Sequence, residues 1–399
     1  MDNISSTVGY SPLLPTTDYV QTSADPNCTN ASMDMETVIT VDMNGPLSYN
    51  IPINGYISPL VIIFTLVTNS LVCVILLKPN MRSPTNMILV FMAVSDTLTG
   101  LSPIPWYLYA FTAGNYKDYV PFEWCSVQSL LNRALPTVFH TMSIWLTLAL
   151  AIQRYIYVCH FLLAKKLCTM KNVVKGSGGI FIVSVAVHIL MFIDQLFKPI
   201  EVPSLINPNV TVKACFMGTP EFLNPIAMPL YNTYYWFRVL FIHLIPCIML
   251  VVINALLIRT MQKAKKRRTQ LLKQNRKSEV RKLKDANCTT MMMVAVVGVF
   301  LVVELPSGIL FAVFIINTTF SLGILERDVE KKVSTIFNLL ILISYPINFF
   351  IYAGMSRQFR ETFKRLFCKG PLPLDREHSQ YSALANENGR IVNTCTTAI

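Results

Sequence analysis

The chain has 399 residues, 53% of them hydrophobic and only 14% charged, with a mean hydropathy of +0.47. That is too apolar for an ordinary soluble domain, so a membrane protein is expected. The formal charge of +12 sits mostly in segments assigned below to the cytoplasmic side, which argues against nucleic acid as a partner.

A membrane-crossing helix needs about 20 mainly apolar residues. Seven windows free or nearly free of Lys, Arg, Asp and Glu meet this requirement: Tyr56–Leu77, Asn86–Phe111, Ala134–Gln153, Gly176–Ile193, Val239–Ile258, Ala286–Asn317 and Val333–Ser356. Only Asp96 in the second and Glu304 in the sixth interrupt them. The expected fold is an all-α seven-transmembrane bundle over residues 56–355. An N-terminal arm (1–55) precedes it, and a membrane-parallel eighth helix (356–368) and a disordered cytoplasmic tail (369–399) follow it.

Basic residues accumulate on the cytoplasmic side of short loops. No Lys or Arg precedes Lys78, whereas the loops after the first, third and fifth spans are basic, with Lys265, Lys266, Arg267 and Arg268 in the last. The N-terminus is therefore expected outside and the C-terminus inside, in a plasma-membrane protein. Asn3, Asn27, Asn30 and Asn209 open glycosylation triplets on the outer side, as does Asn317. Of the ten cysteines only Cys28, Cys125 and Cys215 lie in outer segments. Cys125–Cys215 is the expected disulfide, tying the top of the third helix to the loop before the fifth. Cys368, after an amphipathic stretch, is the candidate for palmitoylation.

The buried polar residues narrow the reading. Asn69, Asp96, Gln153-Arg154-Tyr155, Pro246, Phe300, Pro306, Asn348 and Tyr352 resemble, in order, the signature positions of rhodopsin-like (class A) G-protein-coupled receptors. Asn348-Phe349-Phe350-Ile351-Tyr352 and Gly354 to Phe363 further resemble the invertebrate sex peptide, or myoinhibitory peptide, receptors. That resemblance implies a small amidated, tryptophan-containing neuropeptide as ligand and an inhibitory-type heterotrimeric G protein as partner, with arrestin, a receptor kinase and membrane lipid as further partners. It assigns Gln153, Arg154, Tyr155, Phe300, Pro306 and Tyr352 to coupling and switching. It also assigns Asp96, with Asn69, Ser143, Ser344 and Asn348, to a sodium pocket, the single ion expected. Arg133, Pro136, Thr137, His140, Arg238 and Glu304 are the expected ligand contacts.

Three departures from the family stand out. Gln153 replaces the acid that usually precedes Arg154, and Phe349 replaces the proline after Asn348. Glu304 stands where a tryptophan is usual, and His140 occupies the position facing it, so a buried His140–Glu304 contact is expected. Cys125 and Arg154 stand about one helical turn further apart than in the family. Either the disulfide sits above the membrane or the third helix starts after Cys125. The long outer loop from Asp194 to Tyr235 is expected to form a lid, and Trp106, Tyr107, Tyr109, Tyr234, Tyr235 and Trp236 an interfacial belt.

The alternative is a transporter using Asp96 and Glu304 as ion ligands, although no inverted repeat is visible. A retinal photoreceptor would need a lysine in the seventh span, and none lies between Lys332 and Lys364. No catalytic nucleophile and base converge, so no enzyme is expected.

Overall fold

The computed structural model describes residues 37–41, 47–274 and 277–367; the side chains of residues 37, 161, 272, 277–279, 281–286 and 327 lie outside the description. Asn3, Asn27, Cys28, Asn30, Cys368 and the C-terminal tail are likewise outside the described residues.

Among the described residues, seven helices are long and apolar enough to cross a membrane: α1 (Leu47–Leu76), α2 (Pro84–Thr112), α3 (Phe122–Cys159), α4 (Met170–Val187), α5 (Asn224–Leu271), α6 (Asn287–Thr319) and α7 (Asp328–Met355). A further helix, α8, spans Arg357–Phe367. Local chemistry sets their starts. Ser83 Oγ accepts from Asn86 N ahead of Pro84 at the head of α2, and Thr169 Oγ1 accepts from Asn172 N at the head of α4. At the α7–α8 junction Ser356 Oγ accepts from Phe359 N, while Arg360 donates to the carbonyls of Ala353 and Gly354 that α7 leaves open.

The helices close into a bundle in which α3 packs against α2, α4, α5 and α6, and α7 returns against α1. One core cluster, including Leu89, Leu146, Met293, Tyr352 and Phe359, fills the end where α8 docks. A second covers the opposite end and includes Ile39, Val41, Trp106, Cys125 and Cys215.

That disulfide end carries a small antiparallel sheet of order β1-β3-β2: β1 (Thr37–Val38), β2 (Leu196–Pro203) and β3 (Thr211–Gly218). Cys125 and Cys215 are bonded, with their Cα atoms 6.1 Å apart. The chain before α1 is sewn on at the same place, since Ile39 N donates to Cys215 O and Val120 N to Ile39 O, both at 2.9–3.0 Å.

Several expectations need correction here. The third helix includes Cys125 and so does not start after it, and a wide, π-type segment at Ser129–Ala134, where i→i+5 bonding seats about one more residue per turn, absorbs only part of the extra length. The α4–α5 connection is shorter than Asp194 to Tyr235, because α5 begins at Asn224, and most of what remains is a β-hairpin. Trp106 is not interfacial: it is 1% exposed and packs against Tyr109 and Trp124. Asn317 and Thr319 fall in α6 with their side chains engaged, Asn317 to Leu325 O and Ile324 N, and Thr319 to Trp236 and Asn232. Asn209, by contrast, is exposed at the hairpin tip.

Candidate functional site

The centre of the bundle holds a run of polar side chains contributed by four helices. Glu304 on α6 is 3% exposed. Its Oε1 lies 3.1 Å from His140 Nε2 on α3, an ion-pair distance outside hydrogen-bond alignment, and its Oε2 lies 3.8 Å from His243 Nδ1 on α5. His140 Nδ1 is in turn 3.0 Å from the Tyr345 hydroxyl on α7. The chain Tyr345–His140–Glu304–His243 thus crosses from α7 through α3 and α6 to α5. A carboxylate this deep is costly unless partnered, and two imidazoles face it.

His243 reaches Glu304 because α5 is wound as a wide π-type turn over Arg238–Leu244, just before Pro246. Gly308, one turn along α6 from Glu304, makes the approach possible: a Cβ there would lie 3.1 Å from His243 Cβ. His243 does not interrupt the apolar span Val239–Ile258, because an imidazole is not one of the residues (Lys, Arg, Asp, Glu) that mark a break in such a span. The signal that would have found it is any ionisable residue inside an apolar span.

Deeper in the bundle, Asp96 is 2% exposed and accepts from Ser143 Oγ at 2.5 Å. Both amide atoms of Asn69 are buried without a partner. Ser344 Oγ donates to Ile341 O of its own helix. A cavity of ≈ 20 Å³ is lined by Asp96, Ser143, Ser344 and Asn348, and also by Glu304 and Tyr345. Four of the five residues expected around a sodium ion therefore converge on one space, and the fifth, Asn69, is an unsatisfied buried amide. Oxygen donors and orphaned polar atoms of this kind fit a small hard cation.

Nearer the disulfide end, the terminal nitrogens of Arg133 are held by protein partners, while its Nε is buried without one. Its Nη1 and Nη2 reach Asp194 at 2.9 and 2.7 Å, and Nη2 also reaches Met191 O, Ser129 Oγ and Gln195 Oε1. Pro136 and Thr137 lie one turn on, with Thr137 Oγ1 bonded to Arg133 O. Arg238 differs: its guanidinium lies 5.0 Å from the Phe311 ring centroid, its Nε is buried without a hydrogen-bond partner, and among the described residues no carboxylate lies within ion-pair reach. His188, at the end of α4, joins Thr141 on α3 (2.8 Å) to the Tyr234 hydroxyl on α5 (2.7 Å), which takes Tyr234 out of the expected interfacial belt.

Residues 56–370 match the family described as serpentine type 7TM GPCR chemoreceptor Srw. The chain belongs to the seven-transmembrane G-protein-coupled receptors. This receptor is 39% identical over 360 residues to the sex peptide receptor of Drosophila melanogaster, covering 89% of this chain and 81% of that one. It is 34% identical over 362 residues to sex peptide receptor-related protein 2 of Caenorhabditis elegans, covering 87% and 80%. To the FMRFamide receptor of Drosophila melanogaster it is 25% identical over 368 residues, covering 88% of this chain and 61% of that one. These relatives are receptors, a non-enzyme family, and the transporter reading loses its basis. The receptor is a multi-pass plasma-membrane protein.

At the opposite end of the receptor's α3, Gln153 is 5% exposed with both amide atoms unpartnered, and Arg154 lies with its guanidinium 6.0 Å from the Tyr157 ring centroid and its Nε unpartnered. Among the described side chains no acid pairs with Arg154. Phe300 packs against the α3–α5 cluster of Leu148, Ala151 and Leu250. Tyr352 is buried beside Phe359 of α8, ring centroids 6.0 Å apart. Tyr155 stands edge-on to His160. Pro246 is buried, whereas Pro306 faces outward.

Proposed function

We propose that this receptor recognises an extracellular neuropeptide at its disulfide end and activates a heterotrimeric G protein at the end marked by Arg154. In this reading the N-terminus is outside and the C-terminus inside. The ligand is a small amidated, tryptophan-containing peptide of the myoinhibitory or sex-peptide kind, and the G protein is of the inhibitory class. The single observation that carries the ligand class is the 39% identity to the sex peptide receptor across 89% of the chain. Arg238 supports it physically: a part-buried cation without an acid among the described residues is poised to take a carbonyl or carboxylate from a ligand. His140 and Glu304 then form the floor beneath that ligand. Asp96 with Ser143, Ser344, Asn348 and Asn69 would hold a sodium ion, which supplies a positive charge beside the buried carboxylate.

Arg154 is the proposed docking point for the G-protein tail, and Tyr352, Phe300 and Pro306 the packing that rearranges with it. Arrestin and a receptor kinase act at the same end, Asn209 carries glycan, and Cys368 carries palmitate. The test is a peptide-library screen on the full-length receptor with a nucleotide-exchange readout across G-protein classes. Activation of an inhibitory-class protein by amidated tryptophan-containing peptides is the expected result. Response only to peptides lacking tryptophan, or only through another class, overturns the finer assignment.

A further inference from the structure

The space between Asp96 and Glu304 is bounded by two carboxylates, and we infer that it is a two-carboxylate site for one small hydrated monovalent cation, with Glu304 Oε2 as the second anionic ligand beside Asp96. The inference rests on the sodium site proposed above and adds a residue to it, one that lines the same cavity and belongs to the polar chain described above.

Four observations carry it. Asp96 and Glu304 line one cavity, together with the polar residues Ser143, Ser344, Tyr345 and Asn348 and with apolar side chains such as Val296 and Phe300. Its volume of ≈ 20 Å³ exceeds the roughly 10–15 Å³ that one water-sized occupant needs and is too small for an organic ligand. Glu304 is 3% exposed, yet its Oε2 has no hydrogen-bond partner, the imidazole of His243 standing off at 3.8 Å. An acceptor left open in the membrane core is expensive, and a cation or its water satisfies it. Finally, among the described residues the hydrogen-bond donor to Asp96 is a neutral hydroxyl, that of Ser143.

The donor set decides the kind of ion. Among the described residues no three His, Cys, Asp or Glu side chains converge as a transition metal requires. The polar residues lining the space carry hydroxyl, amide and carboxylate groups, the donor types of a hard cation that keeps part of its water. A cation there neutralises Asp96 and competes with His243 for Glu304 Oε2. Ion occupancy is thereby coupled to the α5–α6 contact that Gly308 permits, and the ion reports on the ligand side as well as on the coupling side.

The experiment uses purified full-length receptor in lipid nanodiscs, with sodium chloride exchanged for choline chloride at equal ionic strength. Wild type is expected to gain about 3 °C in Tm at a tenfold sodium excess over its Kd. Asp96→Asn and Glu304→Gln should each remove most of that gain. Loss in Asp96→Asn with an undiminished gain in Glu304→Gln overturns the inference and leaves the Asp96 site standing; no gain in wild type removes both. Should Glu304→Gln not fold, sodium-minus-choline infrared difference spectra of wild type decide. Two perturbed carboxylate stretches are expected, and one alone overturns the two-carboxylate site.

Discussion

His140 Nε2 and Glu304 Oε1 lie 3.1 Å apart, joining α3 to α6 at the centre of the membrane-spanning bundle. Neither residue is replaceable in isolation, because removing one leaves the other buried without its nearest counter-group. Breaking a buried pair costs about 3–5 kcal/mol, and directly interacting residues couple by about 0.5–3 kcal/mol. His140→Ala and Glu304→Gln should therefore each lower the apparent thermal stability, and the double variant should lose less than the two losses combined. Basal and ligand-stimulated nucleotide exchange should follow the same non-additive pattern. Additivity within about 0.5 kcal/mol would rule out a direct contact.

Gly308 gives a steric test of the other half of that chain. An alanine methyl at this position would press on His243 Cβ at 3.1 Å, whereas one at Gly298, on the same helix, meets nothing within 4 Å. Gly308→Ala should cost about 1–3 kcal/mol through overpacking and push His243 away from Glu304. Gly298→Ala should be neutral or stabilising by up to about 1 kcal/mol, from helix propensity alone. Thermal unfolding of the two variants side by side separates local crowding from a general intolerance of α6 to alanine.

These two residues also show where sequence reading stops. The seven spans were legible because the hydrocarbon thickness fixes their length and composition, and Glu304 announced itself as a charge in an apolar run. Its partner on α3 was legible through a resemblance. Its partner on α5 was not, because the rotation that aims His243 inward comes from a wide turn at Arg238–Leu244 that no residue pattern marks. The hairpin between α4 and α5 was missed for a different reason: its pairing depends on the disulfide and on the segment before α1, which meet only in three dimensions.

Gln153 leaves Arg154 without its usual neighbouring acid, so the resting state lacks one restraint. Basal nucleotide exchange should be raised relative to receptors that keep the acid. Gln153→Glu should lower it by about two- to fivefold, the shift that ~0.5–1 kcal/mol of ion pairing produces. An unchanged basal rate in Gln153→Glu would mean that another group already restrains Arg154.

Arg133 and Asp194 make a different prediction from the other polar pairs, because their geometry is structural. The guanidinium side chain is 26% exposed and the carboxylate 5%, so the loss on breaking the pair is discounted for solvent to about 2–3 kcal/mol. Arg133→Lys should not preserve it, since the three donors of an ammonium cannot serve the five acceptors that the forked guanidinium meets on Asp194, Met191, Ser129 and Gln195. Thermal stability should fall while peptide potency per folded receptor holds. A fall in potency at unchanged stability would instead make Arg133 a ligand contact.

Asp118, in the α2–α3 connection, anchors the hairpin tip that bears Asn209. Partial burial alone would raise its pKa, but hydrogen bonds from Ser204 Oγ, Leu205 N and Tyr119 N outweigh this and hold the carboxyl below its ordinary value. A depressed carboxyl pKa means that the unfolded chain binds the proton more readily, so the stabilisation is complete above the ordinary value of 3.8 and disappears as pH falls through the lower folded value. Between neutral pH and about pH 5 the hairpin should be indifferent to acid. Hydrogen exchange at Leu205, Ile206 and Asn207, whose amides meet Asp118 or Ser204, should keep its protection, corrected for the intrinsic rate, across that range and lose it only in stronger acid. Asp118→Asn keeps the shape but gives up the charge, and should lower protection at neutral pH to a level that no longer changes on acidification. A protection step near pH 6 in wild type would assign the anchor to a histidine and not to Asp118.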